Sequence, residues 1–412
     1  MGDPRDPPDL RAVKLVLTAA CNLSCSYCYQ NAKNDRRLAW DTAQHALDLL
    51  VASPRSHVEL LFIGGEPLLE FPLIEQAVEY VRTHRRPHQS VQFEVITNGT
   101  LLGEREAAFF ADHDFQMQLS FDGVASAQLL RGAHTFATLD RLLDRLRATE
   151  PGFFDERLSV NITLLPRTVA TLAESVRYLI EEKGIQELFI TPSLDASRDW
   201  RPERISELEA AFAEIYRMSR RRFRETGDVP LKILRRTGPP SRRRPEMSMC
   251  GVGRGDQIAV DVDGQAHGCL TFVESYQAFK LPFLRSRVEA MRLGDVRAPD
   301  LRARLASYPD TVRDAEIFHH KERKYSSYGQ CVDCRYLAEC DVCPMSIGRL
   351  PGHEDPRRIP DFHCAYNLVS LKYRHRFPRV RSLAERLTGP AWPFRAQPAR
   401  RRSPARAHAG AE

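Results

Sequence analysis

Ten cysteines stand in the 412 residues and fall into three groups: Cys21, Cys25 and Cys28; Cys250 and Cys269; and Cys331, Cys334, Cys340, Cys343 and Cys364. The first group has the spacing C-x-x-x-C-x-x-C. Three thiolates on one short loop can hold three irons of a [4Fe–4S] cluster and leave the fourth iron open to a small molecule. A zinc site takes four ligands as a rule, and no fourth Cys or His stands close by in sequence, so zinc here would need a ligand brought from afar. The last group, with its two C-x2-C pairs, fits iron–sulfur ligation and equally a structural zinc ribbon. Other residues carry chemistry of a different kind. In Gly64-Gly65-Glu66-Pro67 two glycines let the backbone approach a ligand closely, and a carboxylate suits an ammonium. Thr97-Asn98-Gly99 and Ser120-Phe121-Asp122-Gly123 follow in turn, and Arg131 offers a guanidinium, the natural bidentate partner of a carboxylate. Tyr27 and Asn161 complete the set of candidates.

These residues need elements to place them. From Val13 to about Gly227 short β-rich runs alternate with longer amphipathic stretches, which predicts six βα units around a parallel sheet. The strands are expected to end at Thr18, Ile63, Ile96, Phe121, Leu164 and Thr191, so nearly every candidate lies just after a strand. Six units are too few to close an eight-stranded barrel; an open doubly wound sheet and a partial barrel both remain, and both bind ligands at the carboxyl ends of their strands. After about Lys232 the rhythm stops, and the loop-rich remainder reads as a smaller domain organised by metal.

The charge is +6, yet Pro393 to Glu412 hold five Arg and one Glu, which leaves +2 for everything before them. A second basic run, Arg235, Arg236 and Arg242 to Arg244, sits among Gly and Pro. Without interleaved aromatics these segments read as a solvated tail and linker, which argues against a nucleic-acid protein. No run approaches the ~18 apolar residues that cross a bilayer, and the acidic start lacks a signal-peptide pattern, so the expected setting is cytoplasmic, with no membrane partner. There, clustered thiols are more often metal ligands than disulfides.

A three-cysteine loop at the end of the first strand of a six-unit βα domain resembles the radical S-adenosylmethionine (radical SAM) superfamily. The resemblance implies a partial (β/α)6 TIM-like barrel. It also implies that Cys21, Cys25 and Cys28 ligate a [4Fe–4S] cluster whose open iron chelates SAM, and that reductive cleavage yields a 5′-deoxyadenosyl radical. By the same resemblance Gly64, Gly65, Glu66 and Pro67 contact the SAM amino group and Asn98 lies near the ligand. Ser120, Asp122 and Arg131 hold the ribose and carboxylate, and Tyr27 stands where members place an aromatic against adenine. Asn161 is a further candidate.

Cys250-x13-Gly264-x4-Cys269, then Cys331-x2-Cys334-x5-Cys340-x2-Cys343, then Cys364 after twenty residues, resembles the SPASM extension of that superfamily. The extension binds two auxiliary [4Fe–4S] clusters, which makes three in all. The family's interleaved ligation assigns Cys250, Cys269 and Cys343 to the first auxiliary cluster and Cys331, Cys334, Cys340 and Cys364 to the second. Many members have x3 before the residue matching Cys343, and the first cluster is left with three evident ligands, His267 and His363 being near in sequence. The expected layout is a tail over 1–12, the catalytic domain over 13–230, a basic linker over 231–249, the SPASM domain over 250–375 and a basic, disordered tail over 376–412.

Members with this extension typically modify a peptide or protein. Leu270 stands where anaerobic sulfatase maturases carry an Asp base, which argues against sulfatase activation. The expectation is therefore a maturase that forms a carbon–carbon or thioether crosslink in a ribosomally made precursor peptide; the segment KYSSYGQC before Cys331 resembles cyclophane-forming maturases. Sulfatase-type protein oxidation, a small-molecule radical SAM reaction and a non-catalytic iron–sulfur or zinc scaffold are the alternatives. Expected partners are the precursor peptide, an external electron donor such as ferredoxin or flavodoxin, and a leader-peptide recognition protein on another chain, because only twelve residues precede the first strand.

Overall fold

Alternation of apolar and polar residues builds the strands. In Leu158–Leu164 every second side chain is buried and the ones between are half-exposed, and Gln116–Ser120 repeats the pattern in the opposite phase. The computed structural model describes residues 9–30, 33–193, 199–235, 254–276, 292–314, 321–340 and 357–378, with Glu289, Val342 and Asp355. Cys250, Cys343, the basic run from Arg236 to Arg244 and the tail beyond 378 lie outside the described residues.

Six parallel strands come first: β1 (Ala12–Val16), β2 (His57–Ile63), β3 (Ser90–Thr97), β4 (Gln116–Ser120), β5 (Leu158–Leu164) and β6 (Leu188–Pro192). They stand side by side in chain order, each paired in parallel with the next. A doubly wound sheet reverses its order at a switch point. These six do not, so of the two architectures open to the sequence theirs is the partial barrel.

Helices return the chain between strands: α1 (Trp40–Ala52), α2 (Phe71–His84), α3 (Glu104–Asp112), α4 (Ala125–Gln128), α5 (Thr135–Thr149), α6 (Pro151–Glu156), α7 (Leu172–Arg177) and α8 (Ile205–Thr226). The outer faces of the strands, with Leu15, Phe62, Val95, Leu119 and Ile162, are buried under these helices in one continuous core. The inner face carries half-exposed polar groups such as Glu94, Gln118, Asn161 and Thr163. An arc of six strands does not close, so its interior stays wet where a closed barrel is packed solid.

The cysteine-rich part is not set apart from this core. β7 (Gln257–Val260) pairs in parallel with β1, Ala12 opposite Gln257 and Leu15 opposite Val260. β8 (Gln265–His267) and β9 (Arg292–Asp295) extend the sheet antiparallel. Beyond α9 (Leu301–Asp314) and a small hairpin of β10 (Tyr325–Ser326) and β11 (Gly329–Gln330), α10 (Asp361–Arg376) packs on α8. There Tyr366 donates to Ile190 O at 2.6 Å, and Phe212 and Tyr373 stack. Burying Phe362, Tyr366 and Val369 at this seam stabilises it by roughly 1.5–3 kcal/mol per side chain. This part is held by a shared core as well as by whatever its cysteines bind. Among the described residues no helix is long and apolar enough to cross a membrane.

Candidate active site and cysteine centres

β1 stops at Val16, and the chain is led away by hydrogen bonds to its neighbours. Leu17 N donates to Ile63 O at 2.8 Å, Ala19 N to Arg36 O at 2.9 Å, and Gln30 Nε2 to Ala19 O at 2.9 Å. The returning segment is thereby fastened to the outgoing one, and Cys21, Cys25 and Cys28 are presented, half-buried, on the loop between them. Leu23 N donates to Cys21 Sγ at 3.4 Å and Cys28 N to Cys25 O at 3.1 Å. Burial pushes the thiols of Cys21 and Cys25 up; the charge of Lys33 opposes this at both, and that of Arg131 at Cys25. Among the described residues no three Cys, His, Asp or Glu side chains converge around one point as a single metal ion requires. Three thiols spread along one loop under two cations suit a polynuclear cluster, whose ligands sit at separate corners.

The glycines of Gly64-Gly65 serve a purpose the sequence did not disclose. A Cβ on Gly65 would lie 1.9 Å from Ala20 O, and one on Gly64 would lie 2.6 Å from Thr18 O. Close approach is thus required by the chain's own cysteine loop, which is bonded by Gly65 N to Thr18 O at 2.8 Å and Glu66 N to Ala20 O at 2.9 Å. Glu66, followed by Pro67, is fully buried. Its oxygens accept from Leu68 N at 3.1 Å, Thr97 Oγ1 at 2.6 Å and Asn98 N at 2.8 Å, which ties the second loop to the third. Burial pushes its carboxyl up to about 7, against those three donors. Asn98 in turn bonds Asn22 Oδ1 at 2.9 Å and points Nδ2 at Cys21 Sγ, 3.8 Å away.

On the other flank Arg131 and Asp122 form a buried bidentate ion pair, both bonds 2.9 Å. Asp122 also accepts from Thr163 N at 2.8 Å and from the Tyr27 hydroxyl, and the Arg131 guanidinium lies 5.4 Å from the centre of the Tyr27 ring. Arg131, read from the sequence as a partner for a ligand carboxylate, has Asp122 as its partner here. Ser120 closes β4 opposite Asn161, the middle residue of β5, and Asn161 Oδ1 accepts from Thr191 Oγ1 at 2.8 Å. All the motif residues of the first 165 positions therefore meet at one end of the sheet.

The C-terminal part reaches this end too. Leu270, Val273 and Tyr276, which follow Cys269, cover Val16, Ile63 and Ile96 inside the barrel. Tyr276 packs edge-on against Tyr29 at 4.8 Å and donates to Gly64 O at 3.3 Å. Spacing held no signal for this contact, which spans 212 residues. Farther out, Cys331, Cys334, Cys340 and Cys364 line one cavity walled by Leu337 and Leu368. Burial pushes Cys331 up to about 11 and Cys340 and Cys364 up to about 12. Of the other cysteine set only Cys269 is described; its Sγ lies 3.2 Å from Thr271 Oγ1. His363 is buried, as is His267. Tyr328 is held by Trp200 Nε1 at 2.8 Å and donates to Pro202 O at 3.1 Å, a structural engagement.

Parallel βα units in chain order, with a three-thiol loop after the first strand and a buried carboxylate tying the next two loops to it, make up a radical SAM domain. Residues 15–179 match the family model described as the radical SAM superfamily, so the chain carries that domain, and a cysteine-rich region follows it. That domain is the one by which enzymes use SAM and a [4Fe–4S] cluster. An uncharacterised protein of Methanocaldococcus jannaschii is 26% identical over 283 residues, 66% of this chain and 92% of that one. The cysteine-type anaerobic sulfatase-maturating enzyme of Clostridium perfringens is 26% identical over 147 residues, 32% of this chain and only 40% of the relative. A GTP 3′,8-cyclase of Mycobacterium ulcerans is 27% identical over 66% of this chain and 76% of its own length. Among solved structures, anSMEcpe with bound AdoMet and Kp18Cys peptide superposes with a TM-score of 0.67 at 16% identity, covering 89% of this chain and 97% of that one. Streptococcus suis SuiB bound to precursor peptide SuiA gives 0.54 at 12% identity, covering 86% and 76%.

Proposed function

We propose that this protein is a radical SAM peptide maturase with two auxiliary [4Fe–4S] clusters, acting in the cytoplasm on a ribosomally made precursor peptide. The observation that carries the reading is the convergence of Cys331, Cys334, Cys340 and Cys364 on one cavity, the set expected to hold the second auxiliary cluster. Cys250, Cys269 and Cys343 would hold the first auxiliary cluster, and Cys21, Cys25 and Cys28 the one that binds SAM. When bound, SAM and its cluster would supply a carbon-centred radical for hydrogen-atom abstraction from the substrate.

The chain's own residues supply the rest. Glu66 locks the second and third loops together, and the Asp122–Arg131 pair fixes the fourth loop against Tyr27. The half-exposed inner face with Gln118, Asn161 and Thr163 offers an extended peptide hydrogen-bonding groups below the SAM loop. Leu270, packed at the barrel interior, cannot accept a proton, which favours crosslink formation over sulfatase-type oxidation. Ferredoxin or flavodoxin would supply electrons, and a separate recognition protein would present the leader.

The test is anaerobic reconstitution with iron and sulfide, followed by SAM and dithionite. About twelve irons per chain and 5′-deoxyadenosine by mass spectrometry are expected, and then a precursor peptide that loses two hydrogens. A full iron complement with no 5′-deoxyadenosine, with or without peptide, would refute the reading. The likeness to a GTP cyclase gives a second reading, a small-molecule substrate; turnover of GTP with none of the peptide would decide for it.

A further inference from the structure

We infer that Ser326 sets the redox balance of the four-cysteine centre by donating a hydrogen bond to Cys364 Sγ, with Lys321 and Lys324 acting in the same direction. The inference rests on the reading that these four cysteines hold a [4Fe–4S] cluster. Ser326 Oγ lies 3.1 Å from Cys364 Sγ and at the same time accepts from Tyr328 N at 3.1 Å. With that amide on one of its lone pairs, the hydroxyl turns its single hydrogen toward the sulfur. A ligating thiolate carries no hydrogen, so the direction cannot reverse.

The position of Ser326 is fixed by the hairpin around it. Ile359 N donates to Tyr325 O at 2.8 Å, and Ser327 bonds Asp361 through its amide at 2.9 Å and its hydroxyl at 2.8 Å. Asp361 opens the helix that carries Cys364 one turn on. Ser326 is itself buried. Two cations stand close by: Lys321 Nζ contacts Cys340 O, and the charges of Lys324 and Lys321 both act on Cys331. The cavity wall is apolar, with Leu337, Ile359, Leu368 and Leu371, which lengthens the reach of these charges.

Reduction of such a cluster adds one electron, shared by its irons and sulfurs. A donor or a cation at the sulfurs therefore stabilises the reduced form more than the oxidised form and raises the potential. Removing the hydroxyl lowers it.

The experiment uses the full chain, reconstituted anaerobically and titrated with dithionite while electron paramagnetic resonance is recorded. The signal of this centre is the one that disappears in Cys364→Ala. Ser326→Ala is expected to shift the oxidised-to-reduced ratio at the wild-type midpoint about tenfold toward oxidised, about 59 mV for one electron. Ser326→Thr, which keeps the hydroxyl, is expected to restore the midpoint. Should Ser326→Ala lose iron, Lys324→Gln must show a downward shift of the same signal. An unchanged midpoint in an iron-replete Ser326→Ala protein overturns the inference. About eight irons per chain with no Cys364-dependent signal overturns the cluster reading itself, and the inference with it.

Discussion

Replacing Gly65 by Ala tests whether the glycine pair serves the cysteine loop. The new Cβ would stand 1.9 Å from Ala20 O and 3.1 Å from Cys21 Cβ, and the gap must open by about 1.5 Å to reach the 3.4 Å of ordinary contact. The obstacle is backbone, so no side chain can swing aside. Opening the gap stretches the bonds from Gly65 N to Thr18 O and from Glu66 N to Ala20 O, each worth about 1 kcal/mol. Overpacking adds about 1–3 kcal/mol, so a loss of roughly 3–5 kcal/mol is expected. A shift of this size at Cys21 should also cost about a hundredfold in 5′-deoxyadenosine formation, as misplacements near 1 Å do. Urea unfolding of the cluster-free chain reads the first effect, and iron retention with product formation reads the second. Gly152→Ala is the control, because nothing lies within 4 Å of its Cβ position and α6 should gain slightly. A Gly65→Ala protein that matches wild type in both measurements refutes the account.

Glu66 gives a pH dependence with a definite sign. Its carboxyl rises from 4.5 to about 7 on folding, so the folded chain binds the proton more tightly, and stability present below pH 4.5 falls as pH climbs to 7. The drop is about 3 kcal/mol, and Glu66→Gln should flatten it; an unaltered slope in urea unfolding between these pH values would count against burial as the cause. Asp122→Ala strands Arg131 and should cost roughly 3–5 kcal/mol, while adding Arg131→Met should recover most of it; equal losses in the single and double variants would disprove the ion-pair account. Changing Cys331 and Cys364 together to Ala should remove about four irons per chain and spare 5′-deoxyadenosine formation. Changing Cys21, Cys25 and Cys28 should remove about four irons and abolish that product; iron counting and mass spectrometry distinguish the two.

The strands and the loops after them were legible because a strand's alternation and a loop's motif are both local. The order of the strands was not, since six βα units are compatible with a reversed or a sequential sheet until pairing is seen. Gly64 and Gly65 were read as letting backbone approach a ligand; what the structure sets against them is residues 18–21 of the same chain, which no spacing could name. Arg131 was legible as a carboxylate partner; that Asp122, nine residues before it, takes the role depends on how the β4 loop turns back. Tyr276 and Ser326 carried no signal at all, because each matters through one contact made far from its neighbours in sequence. The pairing of β7 with β1 carried none either, for the same reason.

That last pairing bears on how the chain is made. About 240 residues separate the end of β1 from the start of β7. At roughly 5–20 residues per second, β1 spends on the order of tens of seconds at the ribosome with one row of amides and carbonyls unpaired. Val16 and Ile63 wait equally long for Val262, Val273 and Tyr276 to cover them. The strand that launches the cysteine loop is thus completed long after the strands that follow it in the chain have begun to pair. The nascent chain passes through a prolonged, adhesive stage that chaperones or a slow supply of iron would prolong or cut short.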